Sequence, residues 1–287
     1  MIGGIAPVPE PIAVLPSHAE SAGTGHLEVV LAGRSSVVLR AYATSPLRLL
    51  TPRNHGRAAW IYAGSYGGGL VGGDALRLTI RVREGASAFL STQASTKVYR
   101  SNRPTSVETD ASVAEGAFLV IWPDPVVCFA GSSYQQTQRI DVARDGAVVL
   151  VDVMTSGRRA SGERWGFRQY VSRTTIRYDG RLVQYDSTRL HRDDGDLPTR
   201  MGRFDVLCSA TIVGPELRQS CDRMLAGVSE LPVRRPAPLL MSAAPLSDVG
   251  GIIRIAGTSV EQVSRVLREQ LLFVSALLGD DPWARKW

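Results

Sequence analysis

Cysteine is scarce. The 287 residues contain three, Cys128, Cys208 and Cys221, with no Cys-x-x-Cys pair, and any disulfide scheme leaves one over. That excludes a disulfide-framed secreted domain. Lysine is scarcer still: of 33 Lys and Arg residues only Lys97 and Lys286 are lysines. Histidine occurs four times, at His18, His26, His55 and His191, and no two Cys or His residues have the spacing of metal ligands. No apolar run approaches bilayer length; Ala117 to Trp122 is typical. The N-terminus lacks the basic-then-apolar order of a secretory signal, so neither membrane nor export is expected, and the cytoplasm is the expected location.

Catalytic motifs are missing too. There is no Gly-x-Ser-x-Gly and no Walker A sequence, and Ser91, Ser95 and Thr96 miss the Ser-x-x-Lys spacing to Lys97. Gly67-Gly68-Gly69-Leu70-Val71-Gly72 satisfies Gly-x-Gly-x-x-Gly, but a dinucleotide site needs a helix next, and the next stretch alternates as a strand does. The glycines read instead as a tight backbone crossing. His191 beside Asp193 and Asp194 reads as a polar surface loop.

What is present describes an ordinary folded chain, with 44% hydrophobic and 21% charged residues. The net charge of +6 comes from scattered arginines, with no basic run longer than the pairs Arg158-Arg159, Arg234-Arg235 and Arg285-Lys286. A nucleic-acid surface would gather charge in a stripe or arm, so solvated strand faces are the preferred reading; an acidic protein partner stays open.

Residues 1–25 read as a tail rich in proline, with folded sequence from His26 onward. From 26 to about 190 the dominant period is two, within a β-rich part taken to span 26–200. Leu76, Leu78, Ile80 and Val82 alternate with Arg77, Thr79, Arg81 and Arg83, a strand with one buried face. A unit of strand, acidic-Gly turn and more apolar strand then recurs at Glu84-Gly85, Glu115-Gly116 and Asp145-Gly146, with the glycines 31 and 30 residues apart, and more weakly at Asp179-Gly180. The expected fold is mainly β: stacked antiparallel β-hairpins, solenoid- or sandwich-like. An ordinary antiparallel β protein with similar hairpin spacing is the alternative.

Residues 201–287 read as a small α+β part with two helices. One runs from Pro215 to Ala226 with Gly227 beyond it. The other carries Val260, Val263, Leu267, Leu271, Val274 and Leu278 on one stripe, with Thr258 and Glu261 at capping-box spacing and Gly279 as its stop.

Two carboxylates stand out. Asp152 interrupts the apolar run Val148 to Met154, and Asp74 follows the glycine crossing. A carboxylate in a buried strand must be paired, hydrogen-bonded or wet. An arginine such as Arg158 is the structural partner expected for Asp152; an oxygen-lined route for a divalent cation is the functional alternative.

Several stretches resemble the UreD (UreH) family of urease accessory proteins. Gly67-Gly68-Gly69-Leu70-Val71-Gly72-Gly73-Asp74 resembles its glycine-rich motif, including Gly68, Gly69, Gly72 and Gly73. Ser91 to Ser101 resembles its TQA-x-TK-x-YRS signature, through Gln93, Lys97, Tyr99 and Arg100. Pro123-Asp124-Pro125-Val126, Phe129-Ala130-Gly131-Ser132 and Gly157-Arg158 through Gly162-Glu163 follow in order, and Arg285-Lys286-Trp287 is similar to the family's end. The match runs from about residue 26 to the C-terminus; the Tyr185-Asp186-Ser187 stretch departs from it.

The resemblance implies a non-enzymatic scaffold and nickel-insertion chaperone that joins UreF, and through it the GTPase UreG, on the urease apoprotein. The metallochaperone UreE supplies the nickel. It implies no stably bound cofactor and at most transient handling of Ni2+ along an internal polar passage, for which Asp74, Asp152 and Thr96 are the candidates. Alternative readings are a plain β-rich interaction module, a carboxylate-dependent glycan hydrolase using Asp193 and Asp196, and an arginine-rich nucleic-acid binder.

Overall fold

The alternating stretch from Leu76 to Arg83 sets the pattern for its neighbours in the computed structural model, which describes residues 22–53, 56–232 and 236–284. Chain order begins with β1 (Ala22–Ala32) and β2 (Ser35–Ala43), an antiparallel pair turning at Gly33. Ala22 to Gly25 are thus already strand, ahead of the expected His26; the rest of the expected tail, residues 1–21, lies outside the described residues, as do Arg234-Arg235 and Arg285-Lys286-Trp287. β3 (Leu47–Leu50) and β4 (Ala59–Ser65) pair antiparallel in turn.

Stacked coils follow. They comprise β5 (Ala75–Val82), β6 (Ser87–Thr92) and β7 (Thr96–Val98); β8 (Thr105–Val113), β9 (Phe118–Ile121) and β10 (Val126–Cys128); then β11 (Ser133–Val142) and β12 (Ala147–Thr155). β13 (Gln169–Tyr178) and β14 (Arg181–His191) close the series.

The mainly β class and the repeating two-strand unit are as expected, but the pairing inside the unit is not. At Gly85, Gly116 and Gly146 the flanking strands do not form hairpins. They enter opposite sheets and pair in parallel with their counterparts one coil away: β5 with β8, β8 with β11 and β11 with β13 in one sheet, and β4, β6, β9 and β12 in the other. A tight type I′ hairpin needs positive φ at both central residues. That condition holds at Asp179 (φ 49) and Gly180 (φ 74), where β13 and β14 do pair antiparallel. The other turns have one such residue each, Gly85 (φ 64), Gly116 (φ 61) and Asp145 (φ 60), and make arches between sheets.

Among the described residues the seven-stranded sheet runs β14-β13-β11-β8-β5-β1-β2. Its outer face joins charges across strands: Arg77 to Glu108 at 3.1 Å, Arg139 to Asp110 at 3.1 Å, Arg83 to Glu28 at 2.7 Å. The scattered arginines are thus partly neutralised by the next coil. Each edge pairing, β1 with β2 and β13 with β14, contains a bulge, a device that discourages edge-to-edge association.

The C-terminal part contributes α1 (Leu197–Met201), β15 (Val206–Val213), α2 (Arg218–Ser229), β16 (Leu239–Leu246), β17 (Gly250–Gly257), α3 (Val260–Gln270) and α4 (Phe273–Leu278). Among the described residues four helices replace the expected two. Gly227 lies inside α2 rather than beyond it. The long helix breaks at Leu271-Leu272, and its cap is Ser259, whose hydroxyl accepts from Gln262 N, not Thr258. β12, β15, β17 and β16 extend the ten-stranded sheet antiparallel.

Two apolar layers result. One lies between the sheets, where Ile80, Ala111, Ile140 and Ile176 stand side by side in register. The other joins the far face of the ten-stranded sheet (Trp60, Phe89, Val120, Val149) to Val263, Leu267, Val274 and Leu278 of the helices. Burying each isoleucine of the first ladder contributes about 1.5–3 kcal/mol.

Candidate functional site

The ordered motifs all fall on loops and short strands that stack as the coils stack. Leu70 bridges Val98, Val98 pairs with Cys128, and Val126 pairs with Met154. The glycine crossing is as tight as the sequence implies. A Cβ on Gly72 would lie 1.5 Å from Ser101 Oγ, and one on Gly69 2.5 Å from the Tyr99 ring. Gly68 and Gly73 stand beside them at positive φ. Asp74 closes this loop: its Oδ2 accepts from Val71 N at 2.8 Å.

Further along, Gln93 N donates to Ala63 O and Lys97 O accepts from Leu70 N, while the Lys97 side chain is exposed. Tyr99 meets Phe129 edge-on at 5.1 Å, and Arg100 packs against Gly131. Arg158 lies over Phe129, 4.2 Å from the ring centre, and pairs with Glu163, whose Oε2 also accepts from Ala130 N. Gly157 (φ 119) and Gly162 (φ 76) turn the chain around that pair. These residues build one wall and perform no evident chemistry.

The chemistry-bearing residues lie between the sheets. Along β8, β11 and β13 the inward ladder is apolar near the arches and turns polar further on: Thr109, Gln138 and Thr174 in one row, Val107, Gln136 and Ser172 in the next. Two cavities flank the second row. One of about 240 Å³ is lined by Ser91, Thr96, Tyr134, Gln136 and Gln138 among others. The other, about 470 Å³, opens where β14 faces β16 and β17, and its lining includes Asp152, Ser172, Cys208, Asp186 and Arg254.

Asp152 stands at the seam, and Arg158 is not its partner. Gln136 Nε2 donates to Asp152 Oδ2 at 2.9 Å, and Ser172 Oγ donates to the same oxygen at 2.9 Å. Tyr134 OH donates to Gln136 Oε1 at 3.1 Å, and the Tyr134 ring stacks on Tyr170, centres 5.8 Å apart. Protein surrounds the carboxyl, and its remaining exposure is to the cavity. Burial raises its pKa above the ordinary carboxylate value; the bonds from Ser172 and Gln136 oppose this, and Asp186 adds to it. Burial likewise raises the phenols of Tyr134 and Tyr170 and the thiol of Cys208.

Of the candidate path residues, the structure brings Asp152 and Thr96 to the linings of these two cavities and leaves Asp74 in the loop it closes. Asp196 caps α1 by accepting from Thr199 N, and Asp193 is exposed beside His191, whose Nδ1 accepts from Asp193 N. Gln136, Ser172 and Arg254 were not singled out from the sequence. A signal existed: Gln136 and Gln138 share the parity of Ile140 and Val142, so they are polar residues on the apolar face. Among the described residues, no three His, Cys, Asp or Glu side chains gather as a metal-holding group, and no helix is long and apolar enough to cross a membrane.

A family model described as UreD urease accessory protein matches residues 21–287. A protein named urease accessory protein UreD from Sorangium cellulosum is 50% identical over 94% of this chain and 86% of its own length. One of the same name from an Anaeromyxobacter strain is 40% identical, covering 92% and 89%. Urease accessory protein D of Oryza sativa is 33% identical, covering 92% and 96%.

Proposed function

The chain belongs to the UreD family of urease accessory proteins, and from that membership we propose that it matures urease as a non-catalytic scaffold and nickel-insertion chaperone. In this reading it binds the urease apoprotein and UreF, and through UreF the GTPase UreG, whose GTP hydrolysis drives nickel into the apoprotein. The setting is the cytoplasm, where the apoprotein is assembled. The nickel is cargo, held by no permanent site.

The observation that carries the finer part is that Asp152, in the lining of the larger cavity, is hydrogen-bonded to Gln136, in the lining of the smaller, with Ser172 as its second donor. A hydrated divalent cation prefers oxygen donors, and Thr96, Gln136, Ser172 and Asp152 supply them in sequence. Weak, successive donors suit passage, because a complete ligand shell would retain the ion. Asp74 keeps a place in this reading only through the loop it closes.

The test is co-expression of urease subunits, UreF and UreG with and without this chain, scored by urease activity and nickel content. Without it, urease subunits at equal level but free of nickel are expected; full activity and nickel would overturn the assignment. Within the complex, Asp152→Ala is expected to lower nickel content while the chain still co-purifies with urease, and unchanged nickel would remove the passage.

A further inference from the structure

The linings of the two cavities are joined by hydrogen bonds from one side chain. Gln136 lines the smaller cavity, and its amide nitrogen is bonded to Asp152 and, at 3.2 Å, to Ser172 Oγ, both of which line the larger one. The neighbouring wall is aromatic, Tyr134 on one side stacked against Tyr170 on the other. The polar seam of the partition is therefore the Gln136 carboxamide with its bonded partners.

We propose that Gln136 is the gate of the passage, and that a divalent cation opens it by turning the carboxamide over. The inference rests on the passage reading above. In the closed arrangement the Gln136 N–H points at Asp152 Oδ2 and Oε1 accepts from Tyr134 OH. A half-turn about the terminal torsion exchanges the two ends. Nε2 then donates to the Tyr134 oxygen, which a phenol can accept, and Oε1 faces the carboxylate.

Without a cation that second arrangement places two acceptor oxygens against each other, so the closed one prevails. With a cation between them, Oε1, Asp152 Oδ2 and Ser172 Oγ become three oxygen donors converging from one side, as a hard or intermediate divalent ion requires. The ion thus supplies the differential contact that favours the open state, and the seam closes again once it leaves. Leucine at this position has the size but neither donor nor acceptor; glutamate keeps the shape and an oxygen, and exchanges the N–H for a second carboxyl oxygen facing Asp152.

The experiment measures nickel in urease co-expressed with UreF, UreG and this chain carrying Gln136→Leu, Gln136→Glu or Asp152→Ala, with co-purification confirming that each variant assembles. Gln136→Leu is expected to lower nickel content about tenfold, the lower end of what losing a hydrogen-bond partner of a metal-binding carboxylate costs, and Gln136→Glu to retain it. A residue that merely braces the partition through its N–H would lose nickel in both variants, which overturns the gate. Should Gln136→Leu fail to assemble, Gln136→Glu decides: nickel retained supports the gate, nickel lost overturns it. Full nickel with Gln136→Leu but little with Asp152→Ala removes the gate and leaves the passage. Full nickel with both removes the passage and the gate together.

Discussion

Arg254 reaches across the open end of the two sheets to Asp186, 3.0 Å away, although 68 residues separate them in sequence. Asp186 lies on the edge strand of the seven-stranded sheet and Arg254 in the ten-stranded one, so the pair ties the layers where no strand pairing does. Both line the cavity that holds Asp152. Arg254 therefore balances a negative charge that would otherwise bear more strongly on Asp152.

Arg254→Gln removes that balance. Because Arg254 is half-exposed, the loss of stability is modest, about 0.5–1 kcal/mol. Urea unfolding at low and high salt checks it, and the difference from wild type should shrink as salt screens the freed Asp186.

Asp152→Asn should stabilise the protein at neutral pH. The folded-state pKa of Asp152 is raised, so the native chain holds its proton more tightly than the unfolded one, and stability declines as pH rises from the unfolded value through the folded value. The asparagine variant has no proton to lose. Its melting temperature should exceed wild type at pH 7, and the two curves should converge on acidification; a lower melting temperature at pH 7 would refute this account of the carboxylate. Nickel delivery should fall in the same variant, stability and function pulling apart.

Gly72→Ala places a methyl 1.5 Å from Ser101 Oγ. Such overpacking costs about 1–3 kcal/mol. Ser101→Gly in the same chain should restore much of the loss, and a double-mutant cycle on thermal unfolding measures the coupling.

Glu163→Gln tests the Arg158 pair. The Arg158 hydrogen bond holds the Glu163 pKa below its usual value, so the stability it contributes is present above the unfolded pKa and is lost as pH falls through the folded one. The variant should cost about 1 kcal/mol at pH 7, since the pair is partly exposed. Stability measured down to acid pH should show the gap closing.

The three thiols should be silent in the native protein. Cys128, Cys208 and Cys221 are buried, and burial pushes the Cys128 thiol up to about 12 and that of Cys221 to about 11. Ellman's reagent should react slowly until denaturant is added and then titrate all three; fast labelling of the folded chain would contradict this packing.

Much of the fold was legible. The alternation at Leu76 to Val82 and the glycine spacing gave the strands and the coil, since side-chain period and turn chemistry are local. Parallel stacking was not legible, because Glu-Gly and Asp-Gly serve an arch as well as a hairpin. The deciding feature is whether the glycine and the residue before it both take positive φ, as Asp179 and Gly180 do and the Glu84-Gly85 and Asp145-Gly146 pairs do not. The glycine crossing announced itself, and so did Asp152 by interrupting an apolar run. Its partners did not. Gln136 and Ser172 come from strands brought beside it only by the register of β11 with β13 and by the apposition of the two sheets. Arg158, nearer in sequence, is occupied by Glu163.

Parallel coils also determine how this molecule could change length. Each adds one strand to both sheets, about 4.8 Å of interior, and hands the chain on in the orientation in which it was received. Duplicating or deleting a whole coil would move both sheets together and leave the reversing strands at either end unaltered. The enclosed space is graduated like a ruler, and two partners gripping its opposite ends would be held apart by a whole number of strand widths.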